Sequence, residues 1–295
     1  MEITAAMVKE LRDKTGIGMM ICKQALQETN GDMTIAIENL RKQGQMTAAK
    51  RAGKAAKEGL ISIVSSSTCA ITYEVNTETD FVSRNDDFIA FVDTLGKILL
   101  DKKPADISGA RCVVLPSGIT ADAHVTELIG KIGENISFRR YRKFDINPAC
   151  ERVATYVHGK GKIGVMVKLS IDKPETVGSE AVGLLGKDIA MQIAAANPIA
   201  ANRDSIPAAT IAKEKEIYFT QAQTSGKPDK IWDKIVEGKM VKFFQETVLT
   251  EQAFIRDTAM TVTDRIKVTE KETGAKIGVI GFTRLELGTD DEAAA

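Results

Sequence analysis

The sequence predicts an α+β protein carrying an added helical hairpin, and three observations point there. The first 44 residues place apolar side chains at helical spacing between Gly and Asn stops. A strand–turn–strand–helix order appears near residues 60–100 and returns near 153–197, as in two related subdomains of one core. Residues 207–245 are helical again, and Ser225-Gly226-Lys227-Pro228 splits them into two antiparallel arms.

Taken in order, Thr4 is the expected cap of a first helix, with Ile3 packing on Val8 as a hydrophobic staple. Val8 and Leu11 form its apolar stripe, and it stops near Gly16. A second helix is expected from about Met19, with Met20, Ala25 and Leu26 inward, closed by Asn30-Gly31. Asp32 caps a third helix carrying Ala36, Ile37 and Leu40, expected to end at Gly44. Residues 45–58, with Lys50, Arg51, Lys54 and Lys57, read as an exposed helix or linker. The period then becomes alternating: Ile61 and Ile63, then Ile71, Tyr73 and Val75, mark two strands joined across Ser65-Ser66-Ser67. A polar loop from Asn76 to Asn85 leads to a helix begun by Asp86 or Asp87, with Phe88, Phe91, Val92, Leu95 and Leu99 on one side. Val125, Leu128, Ile129 and Ile132 form a further helical stripe before a strand near 136–144. Strands at 153–158 and 163–171 follow. Val182, Leu185, Ile189 and Ile193 then share a helical face that stops before Pro198. After the hairpin come a helix capped at Thr261-Val262-Thr263-Asp264, a strand from Ile277 to Leu287 and a tail, Asp290-Asp291-Glu292-Ala293-Ala294-Ala295, expected to fray.

Composition narrows the chemistry. Lys plus Arg and Asp plus Glu each number 40 in 295 residues, so no whole-chain field draws this protein to nucleic acid. The Lys-rich stretch lacks interleaved aromatics and reads better as a solvated helix face than as a nucleic-acid patch. The four cysteines are dispersed and the histidines are His124 and His158 only, so structural zinc spacing is missing and a reduced, cytoplasmic compartment is expected. No apolar run is long enough to span a membrane, and the N-terminus has no signal-peptide character. Gly159, Gly161 and Gly164 match G-x-G-x-x-G, but Val165-Met166-Val167 continues as a strand, so the glycines belong to a hairpin turn. There is no phosphate-binding G-x-x-x-x-G-K-[ST] and no nucleophile elbow. Asp86-Asp87 reads as helix caps rather than an acid–base couple. No catalytic centre, cofactor or metal site is expected.

Two features resist a purely structural reading. Thr79-Asp80-Phe81-Val82 puts a charge and a large ring on one loop, although composition alone favours Phe81 folding into the core and Asp80 capping locally. Met19-Met20 follows Gly16-Ile17-Gly18, and flexible thioethers suit adaptable contacts, although core packing is the commoner use.

The run from Thr15 to Leu26, TGIGMMICKQAL, closely resembles the N-terminal signature of the elongation factor Ts family, and Glu74 to Val82, EVNTETDFV, is similar to its second. Further matches are Lys131-Ile132-Gly133-Glu134-Asn135-Ile136, His158-Gly159 with Ile163-Gly164-Val165, Ser225-Gly226-Lys227-Pro228 and Val236-Glu237-Gly238-Lys239-Met240. Ile21 stands where the family often has Asp, Thr77 where it often has Cys, and Ala253 where it often has Pro. The resemblance implies a ubiquitin-associated-like three-helix bundle with its linker at 1–55 and a two-subdomain α+β core with antiparallel sheets. The core subdomains are expected at 56–145 and at 146–204 with 241–260. An inserted antiparallel coiled-coil hairpin is expected at 205–240, and a C-terminal helix–strand module and tail at 261–295. It also implies a guanine-nucleotide exchange factor, without catalysis of its own, that binds GDP-bound elongation factor Tu and promotes GDP release by displacing Mg²⁺ and phosphate contacts. Thr79, Asp80, Phe81 and Val82 would act at the Mg²⁺ site, and Met19, Met20, Ile132, Gly133 and His158 would be further contacts. The hairpin leaves two uses open: pairing with a second copy, as a homodimer or a two-plus-two complex, or touching the partner.

Overall fold

The computed structural model describes residues 2–290. Its chain divides into two compact units, one running to Val64 and including Tyr73–Arg142, the other formed by Ser65–Thr72 and the chain from Lys143 onward.

In the first unit, the Thr4 hydroxyl accepts from the Met7 amide and opens α1 (Ala5–Thr15), which Gly16 ends in the left-handed region at φ 68°. Helix α2 (Met19–Glu28) follows, and the Asp32 carboxylate accepts from the Ile35 amide to open α3 (Met33–Arg51). Val8, Leu11, Cys22, Ala25, Leu26, Ala36 and Leu40 form the bundle core, with Ile3 packed at its edge. Two expectations fail here. Met20 does not face inward: the inward stripe of α2 is Cys22, Ala25 and Leu26, and Met20 lies on the opposite face. Nor does the third helix end at Gly44, since α3 runs a further seven residues to Arg51. Gly44 serves close packing instead of termination, because it faces Gly130 of a later helix at backbone contact. The Ala- and Lys-rich residues beyond it are good helix formers.

Strands β1 (Glu58–Ser65), β2 (Cys69–Thr77) and β3 (Ile136–Asp145) form a sheet in that order. Between β2 and β3 run the single turn α4 (Asp80–Ser83), α5 (Asp86–Lys102), the short α6 (Ile107–Arg111) and α7 (Ala121–Ile132). Asn85 caps α5, its side-chain oxygen accepting from the Asp87 and Phe88 amides, so the adjacent aspartates occupy the first turn rather than the cap. The α5 residues Phe88, Phe91, Val92, Leu95 and Leu99 are buried. The Tyr73 hydroxyl reaches across from β2 and donates to the Val92 carbonyl at 2.8 Å. It sits where a side chain on Gly96 would clash, so the helix packs over the sheet with no room for a Cβ there.

In the second unit, β4 (Glu151–His158) pairs antiparallel with β5 (Ile163–Ile171), from Glu151 opposite Ser170 to His158 opposite Ile163. Gly159, Lys160 and Gly161 all have positive φ, as the tight turn requires, and Gly164 lies within β5 opposite Val157. Helix α8 (Glu180–Ala196) lays Val182, Leu185, Ile189 and Ile193 on Val165, Val167, Leu169 and Ile171 of β5. The hairpin arms are α9 (Ala208–Gln223) and α10 (Trp232–Thr247), joined through Ser225 and a left-handed Gly226. At their base Ile206, Met240, Phe243 and Val248 form a small core with Ala200. A two-stranded ribbon, β6 (Ala253–Phe254) and β7 (Asp257–Thr261), leads to α11 (Val262–Thr273), which Thr261 and Asp264 open as a reciprocal capping box. Strand β8 (Ile277–Glu286) then pairs antiparallel with β5. The C-terminal segment therefore completes the sheet of order β4-β5-β8, and Val262 and Ile266 join the core under α8. The ladder slips between Lys168 and Leu169, so Ile280 is the extra residue of a bulge. Both sheets thus place their third strand beside the second strand of a sequential pair, consistent with the repeated order seen in the sequence.

Candidate functional site

The turn that carries Phe81 is held from both sides by ionic hydrogen bonds. Strand β2 ends at Thr77, whose hydroxyl donates to the Thr79 carbonyl at 2.8 Å. Thr79 is extended at φ −124° and ψ 158°, and gives both of its donors to one carboxylate. Its amide reaches Glu134 Oε2 at 3.0 Å and its hydroxyl reaches Glu134 Oε1 at 2.7 Å. Glu78 points to a different set of donors: its Oε1 accepts from the Asn135 amide at 2.6 Å, and both its oxygens take Arg51 at 3.2 Å. The Asn135 side chain donates in turn to the Lys54 carbonyl at 2.7 Å. The end of α3, the β2–α4 turn and the α7–β3 turn are therefore tied together by named side chains.

Within α4 successive side chains diverge by about 100°. Val82 takes the inward direction and is buried, which sends Phe81 outward with 80% of its surface exposed. Asp80 is half-buried, and its Oδ2 accepts from Arg84 one turn on at 2.8 Å. Both partners of that pair remain substantially wet, so the pair is worth at most about 1 kcal/mol. The turn therefore presents an exposed ring beside a carboxylate whose present partner can be exchanged at small cost.

The remaining candidates fall into two groups. Met19 and Met20 stand on the first turn of α2 with 49% and 76% of their surface exposed, and Ile21 beside them is also exposed. The loop before them is short of space: a Cβ on Gly16 would lie 2.4 Å from Nζ of Lys131, whose ammonium pairs with Asp87 at 2.7 Å. Ile132 and Gly133 end α7 half-buried. Gly133 adopts φ 84° with open space around its Cβ position, so conformation and not crowding requires glycine there. These residues belong to the same unit as the Phe81 turn, and Glu134 and Asn135 directly join Gly133 to it. His158 belongs to the second unit, exposed at the end of β4, with the Tyr156 hydroxyl 3.0 Å from its Nδ1.

Sequence reasoning did not single out Glu134, Glu78, Arg51 or Arg84. The Asp80–Arg84 spacing of four residues is a local signal that could have found the last of these. The others meet across separations of 27 to 57 residues, so although Glu78 and Glu134 lie inside the family-like motifs, nothing in residue order announces these contacts. Arg51, part of the basic stretch, is engaged by Glu78. Among the described residues no group of three His, Cys, Asp or Glu side chains could hold a metal ion, and no helix is long and apolar enough to cross a membrane.

Comparison with known proteins gives a consistent result. The family described as Elongation factor TS matches residues 78–289, from the Phe81 turn through β8. Elongation factor Ts of Syntrophotalea carbinolica is 44% identical over 301 aligned positions, covering 100% of this chain and 98% of that relative. Elongation factor Ts of Chlorobium chlorochromatii is 44% identical over 292 positions, covering 97% of this chain and 99% of the relative. That of Rhizobium meliloti is 43% identical over 293 positions, covering 98% and 94%.

Proposed function

This chain belongs to the elongation factor Ts family of translation elongation factors, and from that premise we propose that it binds GDP-bound elongation factor Tu and speeds release of the nucleotide. The observation that carries the reading is Phe81, a large ring turned outward on a turn anchored by Thr79 on Glu134 and by the buried Val82. A ring left exposed in the free protein can be buried in a partner, and burying it yields about 1.5–3 kcal/mol. Driven between helices of the partner's nucleotide domain, it would offset displacement of the elements that hold Mg²⁺ and the phosphates. Asp80 would leave Arg84 at small cost and engage polar groups beside the metal site. Met19 and Met20, exposed and flexible, would grip another helix of that domain, with Ile132 and Gly133 near the base of the wedge. His158, on the exposed end of the β4–β5 pair, would meet a second domain of the partner.

Linkage sets the direction of the cycle. A factor that weakens GDP binding is itself weakened in its binding by GDP to the same extent. The factor hastens equilibrium through a transient ternary complex, and the supply of GTP decides which nucleotide replaces GDP.

Stopped-flow release of a fluorescent GDP from elongation factor Tu tests this. Phe81→Ala removes an exposed side chain, so the fold should hold while release at saturating factor falls about tenfold or more, the equivalent of the lost burial. Release at the unaltered rate would refute the wedge.

A further inference from the structure

Phe81 has no packing of its own to aim it, because most of its surface faces solvent. Its direction is set by the backbone of the residues before it, and the first of these with non-local contacts next to α4 is Thr79. We infer that Glu134 is the positioning residue of the exchange turn: its carboxylate holds Thr79 in the conformation that points Phe81 outward. The inference rests on the exchange reading given above.

The geometry is specific to one side chain. Glu134 lies two residues past the end of α7, where the left-handed Gly133 redirects the chain toward β3. Its two oxygens take the amide and the hydroxyl of the same threonine, at 3.0 and 2.7 Å. Binding both groups fixes the backbone torsions of Thr79 and its side-chain rotamer together. Thr79 occupies the cap position of α4, where its hydroxyl makes no cap bond and donates to Glu134. The α4 turn is thus oriented by a carboxylate 55 residues away in sequence instead of by its own cap. A wedge held in its binding direction before contact loses less conformational freedom on docking, and small misplacements of such a group are expensive in rate.

This assignment is separable from a role in stability alone. Release of fluorescent GDP from elongation factor Tu is followed against factor concentration for the full chain and for Glu134→Ala, Glu134→Gln, Thr79→Val, Phe81→Ala and Glu134→Ala with Phe81→Ala. Glu134→Ala should lower the saturating rate about tenfold, as loss of two charge-assisted hydrogen bonds allows, and change the half-saturating concentration by less than about threefold. Glu134→Gln retains the shape and one acceptor, and should recover part of the rate. Thr79→Val keeps the amide bond and loses the hydroxyl bond, and should fall between the wild type and Glu134→Ala. Where Phe81 is already alanine, adding Glu134→Ala should change nothing further, because the carboxylate acts through the ring. An unchanged saturating rate in Glu134→Ala overturns the inference, as does an equal loss with and without Phe81. If Phe81→Ala is itself fully active, the exchange reading fails and the positioning role falls with it. If Phe81→Ala is impaired and Glu134→Ala is not, only the positioning role is lost.

Discussion

Two glycines that touch each other should respond to alanine with opposite signs. A Cβ built on Gly130 of α7 would lie 2.7 Å from the Gly44 Cα of α3, whereas one built on Gly44 would lie 3.6 Å from the Gly130 Cα. Carbon atoms pack at about 3.5–4.0 Å, so Gly130→Ala forces the two helices apart by about 1 Å and Gly44→Ala displaces nothing. Overpacking of this kind costs about 1–3 kcal/mol. Replacing an interior helical glycine by alanine returns about 0.8–1 kcal/mol. Gly44 sits in the middle of α3 and should realise that gain in full, but Gly130 is two residues from the end of α7 and should realise little of it. Gly44→Ala should therefore raise stability by up to about 1 kcal/mol, and Gly130→Ala should lower it by about 1–2 kcal/mol. Urea and thermal unfolding followed by circular dichroism read the difference, with about 2–4 °C in Tm for each kcal/mol. The reasoning is refuted if Gly44→Ala is as destabilising as Gly130→Ala, or if Gly130→Ala is neutral. The contact has functional weight under the proposed reading, since α3 belongs to the bundle that carries Met19 and Met20 and α7 leads directly into Glu134.

Two further outcomes follow from buried polar groups. His124 on α7 stacks on Phe91 with ring centroids 5.1 Å apart, and its Nδ1 is buried without a hydrogen-bond partner. Burial holds its pKa below the ordinary histidine value, with Glu127 opposing and Lys131 adding to the effect. The unfolded chain takes up a proton near pH 6.5 and the folded chain only at lower pH, so stability is full above about 6.5 and declines as pH falls through the folded value. Urea midpoints at neutral and mildly acid pH should show this decline, and His124→Leu should flatten it; an equal slope in both proteins would count against the assignment. Asp188, buried on α8, accepts from Arg256 at 2.7 Å and Arg265 at 3.0 Å. Asp188→Ala should cost about 2–3 kcal/mol in urea unfolding, and a loss under about 0.5 kcal/mol would show that water replaces both bonds.

Much of the local structure could be read from residue order. Thr4, Asp32 and Thr261 announce helix starts because a cap bonds within three residues of itself, and Gly16 announces a stop because left-handed backbone favours glycine at that spot. The stripe Val182, Leu185, Ile189 and Ile193 likewise reports a face that one element determines, whereas the alternation at Ile71, Tyr73 and Val75 marks a strand whose other face is buried as well. Gly44 misled for a physical reason: a glycine that ends a helix and one that lets another helix approach look alike until the neighbour is known. Met20 misled because a short helix with several apolar residues offers more than one candidate stripe, and the choice of Cys22, Ala25 and Leu26 was made by packing on α1 and α3. Composition favoured Phe81 inside, and the smaller Val82 took that place.

What this sequence determines alone is its set of short-range commitments: where helices begin and end, which segments alternate, and which turns need glycine. Each depends on residues a few positions apart, so the chain carries that information in its order. The tertiary structure decided which of two adjacent side chains faces solvent, that β8 joins β5 more than 100 residues away, and that Glu134 seizes both donors of Thr79. Those outcomes are set by contacts between segments remote in sequence, whose distances exist only once the cores have closed.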